Sequence, residues 1–293
     1  MKLISYNLHN NNAAGDLRSL VDRHDPDVLC VQEADTDLLP VRIGDLELVQ
    51  STTDNRQGLA VYLRASRLDP RSTLLVPLEK SVHDRVMKPA QERMVTVRAH
   101  DAKHDREVML SSFHAAPLTA SNALRRQQIS TAFAALQDLG SGLPSVLAGD
   151  FNYPLFQARL ERHVGTFGYD VSRSDTSTYR RYGVLRGNYD FALSRGFAAS
   201  AVESLPQQGS DHLPILVQAT LQPRSNDLTG ADVQRNQEIH LPGAFVPPAS
   251  ALPVRPWVRS RAATGKRRPV WRSRKAVRAG RRAPVRNHHI LLP

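Results

Sequence analysis

Hydrophobic and polar positions along residues 1–221 fall into short blocks whose period changes from block to block. Lys2–Leu8 alternates apolar and polar residues, as a strand with one buried face does. In Asp16–His24 the period lengthens: Leu17, Leu20 and Val21 recur at i, i+3 and i+4, which predicts a short amphipathic helix. Asp25-Pro26-Asp27 stops that helix, because proline disfavours helical geometry in the residue before it. Val28–Val31 is a continuous apolar run ending at Gln32-Glu33, consistent with a buried strand. Leu46–Gln50, Gly58–Arg64 and Thr73–Leu78 predict further strands, and Arg93–Ala99 and Glu107–Phe113 stronger ones, being β-branched and alternating in part. Asn122–Leu139 is the best helix, with Ile129, Phe133 and Leu136 on one face and Gly140 at its end. Ser145–Ala148, Tyr189–Leu193 and Ile215–Leu221 complete the strands. Many strands with a few intercalated helices predict an α/β or α+β layered fold.

Charge draws the boundary that periodicity leaves open. The 293 residues carry 39 Lys+Arg and 28 Asp+Glu, a net of +11. Residues 1–221 hold 24 and 25 of these, a net of −1, whereas 222–293 hold 15 and 3, a net of +12. The latter stretch also has 9 of the 19 prolines and both tryptophans, and no acidic residue from Ala249 onward. Such a composition cannot bury enough apolar surface to offset its ordering entropy. One folded domain over 1–221 and a mostly disordered basic tail over 222–293 are expected. Cys30 is the single cysteine, which excludes an intramolecular disulfide and a cysteine-based zinc site. No apolar run approaches the roughly 18 residues of a membrane-spanning helix. The first residues lack the long apolar stretch of a secretory signal, so a cytoplasmic protein is expected.

Candidate chemistry gathers where strands end. Asn7 closes the first strand, Glu33 follows the second, and His114 follows Ser111-Ser112-Phe113. Gly149-Asp150-Phe151-Asn152 follows Ser145–Ala148, Asp190 lies within Asn188–Leu193, and Ser210-Asp211-His212-Leu213-Pro214 precedes the last strand. Each alone has an ordinary reading: a solvated loop acid, a satisfied histidine, an Asx turn, a cap. In order and all at strand termini, they point to one metal- or phosphate-handling site.

This ordered set resembles the endonuclease/exonuclease/phosphatase superfamily: Tyr6-Asn7, Gln32-Glu33, Ser112-x-His114, Gly149-Asp150-Phe151-Asn152, Tyr189-Asp190-Phe191 and Ser210-Asp211-His212-Leu213-Pro214. The resemblance runs from Lys2 to about Leu221. It implies a four-layer α/β sandwich of two packed mixed sheets flanked by helices, a divalent cation, and hydrolysis of a phosphoester by in-line water. Magnesium is the expected ion, with manganese as a substitute. Hard oxygen donors suit it, and Glu33 is the first choice as ligand, with Asn7 and Asp211 around it. Asp150 is expected to hold or deprotonate the attacking water, and Asn152 to donate to a phosphate oxygen. His114 and His212 offer N–H donors, Asp190 orienting His212. Glu92 is a looser candidate for the same service to His114.

The substrate is left open by these motifs. Arg125-Arg126 and Arg180-Arg181 offer phosphate contacts, or are simply solvated. In the tail, Arg255-Pro256-Trp257-Val258-Arg259-Ser260-Arg261 nearly repeats as Arg268-Pro269-Val270-Trp271-Arg272-Ser273-Arg274. Tryptophans among arginines suit nucleic acid, by stacking and phosphate neutralisation, and also an anionic membrane surface. His288-His289, without further ligands, makes no site. The expected activity is a magnesium-dependent phosphodiesterase on nucleic acid, its tail aiding substrate binding. The competing readings are a phospholipid or small-molecule phosphoesterase held at a membrane, and a basic nucleic-acid binder with a vestigial catalytic domain.

Overall fold

A computed structural model gives the fold, and it describes residues 1–223 apart from 54–56, 83–84, 86–91, 154, 182–184 and 207–208. The strands are β1 (Lys2–Asn7), β2 (Val28–Ala34), β3 (Arg42–Ile43), β4 (Leu46–Ser51) and β5 (Gly58–Arg64). They continue as β6 (Leu68–Pro77), β7 (Glu92–Asp101), β8 (Arg106–His114), β9 (Ser145–Asp150) and β10 (Asp170–Arg173). The last are β11 (Tyr179–Arg181), β12 (Leu185–Gly187), β13 (Asp190–Arg195), β14 (Phe197–Ser204) and β15 (Ile215–Leu221). Three α-helices accompany them among the described residues: α1 (Leu17–His24), α2 (Asn122–Leu139) and α3 (Gln157–Gly165).

One sheet has the order β14-β15-β1-β2-β5-β4-β3 and a second has β10-β13-β9-β8-β7-β6; β11 and β12 form a separate hairpin. Both sheets are mixed, since β1 pairs parallel with β2 and β8 parallel with β9 while their other pairings are antiparallel. The sheets pack face to face through apolar residues such as Leu3, Cys30 and Val61 from the first and Val97, Leu110 and Val146 from the second. Outside the first sheet, Leu17, Leu20 and Val21 of α1 pack on Ile4, Leu29 and Tyr62. Outside the second, Ile129, Phe133 and Leu136 of α2 and Leu160 of α3 pack on Met109, Leu147 and Phe191. The result is the expected four-layer α/β sandwich, because each helix has one apolar stripe and each sheet two apolar faces to cover.

The residues predicted for α2 are those observed; Ser121 caps its start, its hydroxyl accepting from Leu124 N at 3.2 Å. β6 starts at Leu68, before the predicted Thr73, and so includes Pro70. It is an edge strand with a register break at that point, where a proline costs no ladder hydrogen bond. β14, Phe-Ala-Ala-Ser-Ala-Val-Glu-Ser, carries little strand signal and owes its form to pairing with β15. By internal contacts the chain divides into Met1–Arg235 and Asn236–Pro293. The predicted tail beyond Pro223, with Trp257 and Trp271, lies outside the described residues. Among the described residues no helix is long and apolar enough to cross a membrane.

Candidate active site

Strand register assembles the site. In the second sheet His114 is paired with Asp150 across β8 and β9, and Asp150 with Asp190 across β9 and β13. Three chemically active residues thus stand in one row. In the first sheet Asn7 is paired with Gln32 across the parallel strands β1 and β2. A Cβ on Gly149 would lie 1.8 Å from the Phe113 carbonyl oxygen, so only glycine permits this approach of β8 to β9.

Glu33 is aimed by a bulge. The β2–β5 register breaks between Val31 and Ala34, and Glu33 has φ +53°. The extra residue turns the strand end, as bulges beside functional sites do. Gln32 faces the space between the sheets, where its Nε2 donates to Ser5 Oγ at 3.1 Å and Ser112 Oγ at 2.9 Å. Glu33 instead faces the end of the sandwich.

There Asn7 Nδ2 donates to Glu33 Oε1 at 3.3 Å and to Asp150 Oδ2 at 3.1 Å. His114 Nε2 lies 3.7 Å from Glu33 Oε1 and 3.5 Å from Asp150 Oδ2. Asn152 donates to Asp150 twice, from its backbone N at 2.9 Å and from Nδ2 at 3.1 Å. His212 Nδ1 is 2.8 Å from Asp190 Oδ2, and its Nε2 is 3.9 Å from Asp150 Oδ2. Seven of the eight candidates therefore form one connected cluster. Asp211 stands beside it, its Oδ1 3.6 Å from His9 Nδ1. Glu92 accepts from the Thr53 backbone N at 3.1 Å, while His114 Nδ1 has no hydrogen-bond partner among the described residues. The looser pairing of Glu92 with His114 is thus not formed.

Other residues support the cluster, of which Thr178 carried no sequence signal. Thr178 Oγ1 accepts from the backbone N of both Tyr189 and Asp190 at 3.0 Å, fixing the start of β13. Ser210 Oγ donates to the Asn7 carbonyl at 2.7 Å and accepts from His212 N at 3.0 Å, which joins the ends of the chain's folded part. Arg125 is buried rather than solvated, its Nε donating to the Ala116 carbonyl at 3.0 Å. Arg126 reaches the Tyr153 hydroxyl at 2.7 Å. The side chains of Arg180 and Arg181 are outside the described residues.

Burial first, then Asp190 and Glu33, push the Asp150 carboxyl up to about 7, with His212 opposing. Burial disfavours charge on His212, but Asp190 and Asp150 outweigh it and raise its pKa to about 10. Burial, helped by Arg93 and His212, holds His114 well below its ordinary value of 6.5. At neutral pH one histidine is therefore charged and the other neutral, a division of the kind that separates acid from base. Glu33, His114 and Asp150 bring ligand atoms within 4.8 Å of one another, as do Asp150, Asp190 and His212. Two carboxylates with an adjacent amide and imidazole fit a divalent cation there.

The sequence model of the Endonuclease/Exonuclease/phosphatase family matches residues 4–212, from β1 to the second histidine of this cluster. The chain belongs to that family. Members of the endonuclease/exonuclease/phosphatase family hydrolyse phosphoesters, and the fold is shared with solved members. One from Bacteroides vulgatus superposes with a TM-score of 0.63 at 14% identity, covering 75% of this chain and 98% of its own. A mannosyl-6-phosphatase from Bacteroides thetaiotaomicron gives 0.60 at 16% identity, covering 75% and 100%. D. rerio TDP2, complexed with a single strand DNA product, gives 0.58 at 16%, covering 75% and 98%. No curated protein matches the chain in sequence.

Proposed function

We propose that the protein is a magnesium-dependent phosphodiesterase that hydrolyses nucleic acid by in-line attack of water. The observation that carries this reading is the row His114, Asp150, Asp190, with His212 bonded to Asp190 and Glu33 and Asn7 facing it. Glu33 holds the cation, with Asn7 and Asp211 around it. A bound magnesium ion supplies charge neutralisation at a phosphate oxygen and at the leaving oxygen. Asp150, within reach of both sides of the site, holds and deprotonates the attacking water. Asn152 donates to a phosphate oxygen. The His212 imidazolium, held by Asp190, donates to charge developing on the phosphate, and neutral His114 supplies a second N–H. A nucleic-acid substrate is supported by the likeness to TDP2, whose structure holds a DNA product. The cytoplasmic location and a nucleic-acid role for the basic tail belong to the same proposal.

A second reading, a small-molecule phosphoesterase, is favoured by the equally close likeness to a mannosyl-6-phosphatase. Purified protein is assayed on plasmid DNA, RNA, sphingomyelin, inositol phosphates and mannose 6-phosphate, with magnesium and with chelator. Magnesium-dependent cleavage of DNA or RNA is expected. Turnover confined to the small esters or the lipid would replace the nuclease reading, and no turnover anywhere would favour a vestigial domain.

A further inference from the structure

Two loops run directly out of the cluster, one following His114 and one following Asn152. Between them and the first turn of α2 lies a cavity of about 550 Å³, lined by Leu118, Asn122, Arg126, Leu155, Phe156 and Arg159 among others. Sites for small ligands span roughly 300–1,000 Å³. The walls combine two chemistries. Leu118, Leu155 and Phe156 are 40%, 63% and 72% exposed, an apolar surface that the core leaves uncovered. Arg125, Arg126 and Arg159 line the same space, and among the described residues none that lines it is acidic. The walls are also braced: Arg126 is tied to the Tyr153 hydroxyl, and Asn122 Nδ2 donates to the Leu155 carbonyl at 3.4 Å.

Phe156 is held against its own preference. It has φ +60° and ψ +40°, the left-handed region that a bulky side chain avoids. Its carbonyl accepts from Arg159 N at 3.0 Å, so this conformation starts α3. The ring gains no burial in return. A strained, exposed aromatic beside a catalytic cluster is where strain serves binding.

We infer that this cavity is a subsite for the nucleotide next to the scissile phosphate, with its base on Phe156 and Leu155 and its own phosphate at Arg126 and Arg159. An aromatic face accepts any base by stacking, and guanidinium groups pair with phosphate oxygens. An acyl chain lacks the flat face that stacks on an aromatic ring, and a sugar phosphate leaves the apolar wall unmatched. The inference rests on the nucleic-acid reading of the active site.

The test uses the full chain and two single-stranded DNA oligomers of equal length, one with bases and one abasic. Phe156→Gly removes the ring and suits the left-handed backbone, so its melting temperature is expected to equal or exceed that of wild type. Wild type should prefer the base-bearing oligomer in kcat/KM. Phe156→Gly should lose about tenfold of that preference, mainly through KM, and Phe156→Trp should retain it. Arg159→Ala should weaken anisotropy-measured binding of both oligomers about equally. If wild type cleaves the oligomers but Phe156→Gly keeps the wild-type preference, the subsite is wrong and the nuclease reading stands. If wild type cleaves neither oligomer but hydrolyses a lipid or a sugar phosphate, both fall.

Discussion

At the end of the sandwich where β2 begins and β7 ends, half-buried Asp27 and buried Asp101 pack against arginine. Arg67 donates to Asp27 Oδ2 at 2.5 Å and to Asp101 Oδ2 at 3.2 Å, and His104 Nδ1 is 2.8 Å from the same Asp101 oxygen. Lys2 N adds a bond to Asp27 at 2.8 Å. At the other end of the sandwich, about 20 Å away along β2, Glu33, Asp150 and Asp190 meet amides and histidines instead. The electrostatic outcomes have opposite signs. Burial pushes Asp101 up, but Arg67 and His104 outweigh it and hold it below its ordinary 3.8. Asp150, with no arginine bonded to it among the described residues, is pushed up to about 7. Pairing at the first end spends its acids on stability. At the second end the acids are left poised for a cation and a substrate, at a cost to stability.

The largest effect that tests this contrast is on catalysis. Asp150→Ala or Glu33→Ala should lower phosphodiester hydrolysis by about 10³-fold with no loss of thermal stability. Asp101→Ala should leave kcat unchanged. Near-full activity in Asp150→Ala would remove Asp150 from the mechanism.

Next in size is stability at the paired end. Asp101→Ala strands Arg67 and should cost about 3 kcal/mol in urea unfolding. A cost near zero would mean that Arg67 is satisfied by Asp27 alone.

The pH dependence should differ in sign between the ends, measured with divalent ions chelated. The Asp150 pKa is higher folded than unfolded, so its contribution is present near pH 4 and is lost as pH rises through about 7. Asp150→Asn should remove that loss, a gain of about 1 kcal/mol or 2–4 °C at pH 8. Asp101 is lower folded than unfolded, so its contribution is present above pH 3.8 and is lost as pH falls below it. Asp101→Asn should flatten the acid limb and leave the alkaline limb alone.

The smallest effect marks the boundary of the paired end. Arg64 also bridges Asp25 and Asp45, whose side chains are 74% and 79% exposed. Alanine at either should change stability by no more than about 0.5 kcal/mol, because water screens such pairs. A larger cost would extend the structural network to the surface.

Much of this was legible in the pattern of the chain. The alternation in β1, the β-branched runs of β7 and β8, and the apolar stripe of α2 are local signals, read correctly because propensity and burial agree. Asn7, Glu33, His114, Asp150, Asn152, Asp190 and His212 were legible through their order and their places at strand ends. Asp211 was legible as part of the Ser-Asp-His run, but its ion pair with His9 was not. Thr178 escaped as a support because a hydroxyl that accepts from backbone more than ten residues away leaves no local mark, and Ser210, named in its motif, showed no sign of its bond to the Asn7 carbonyl. α3 escaped because its start is a phenylalanine in left-handed geometry, which no capping rule anticipates.

The sequence by itself determined the layers, the strand-end polar residues and the charge contrast between 1–221 and 222–293, because period and composition are properties of neighbours along the chain. The tertiary structure decided in which direction each carboxyl group is shifted. Asp101 and Asp150 are the same residue type, each at a strand terminus. Asp101 meets the Arg67 guanidinium and His104, which outweigh its burial, whereas burial, Asp190 and Glu33 raise Asp150 against His212 and the Asn152 amide.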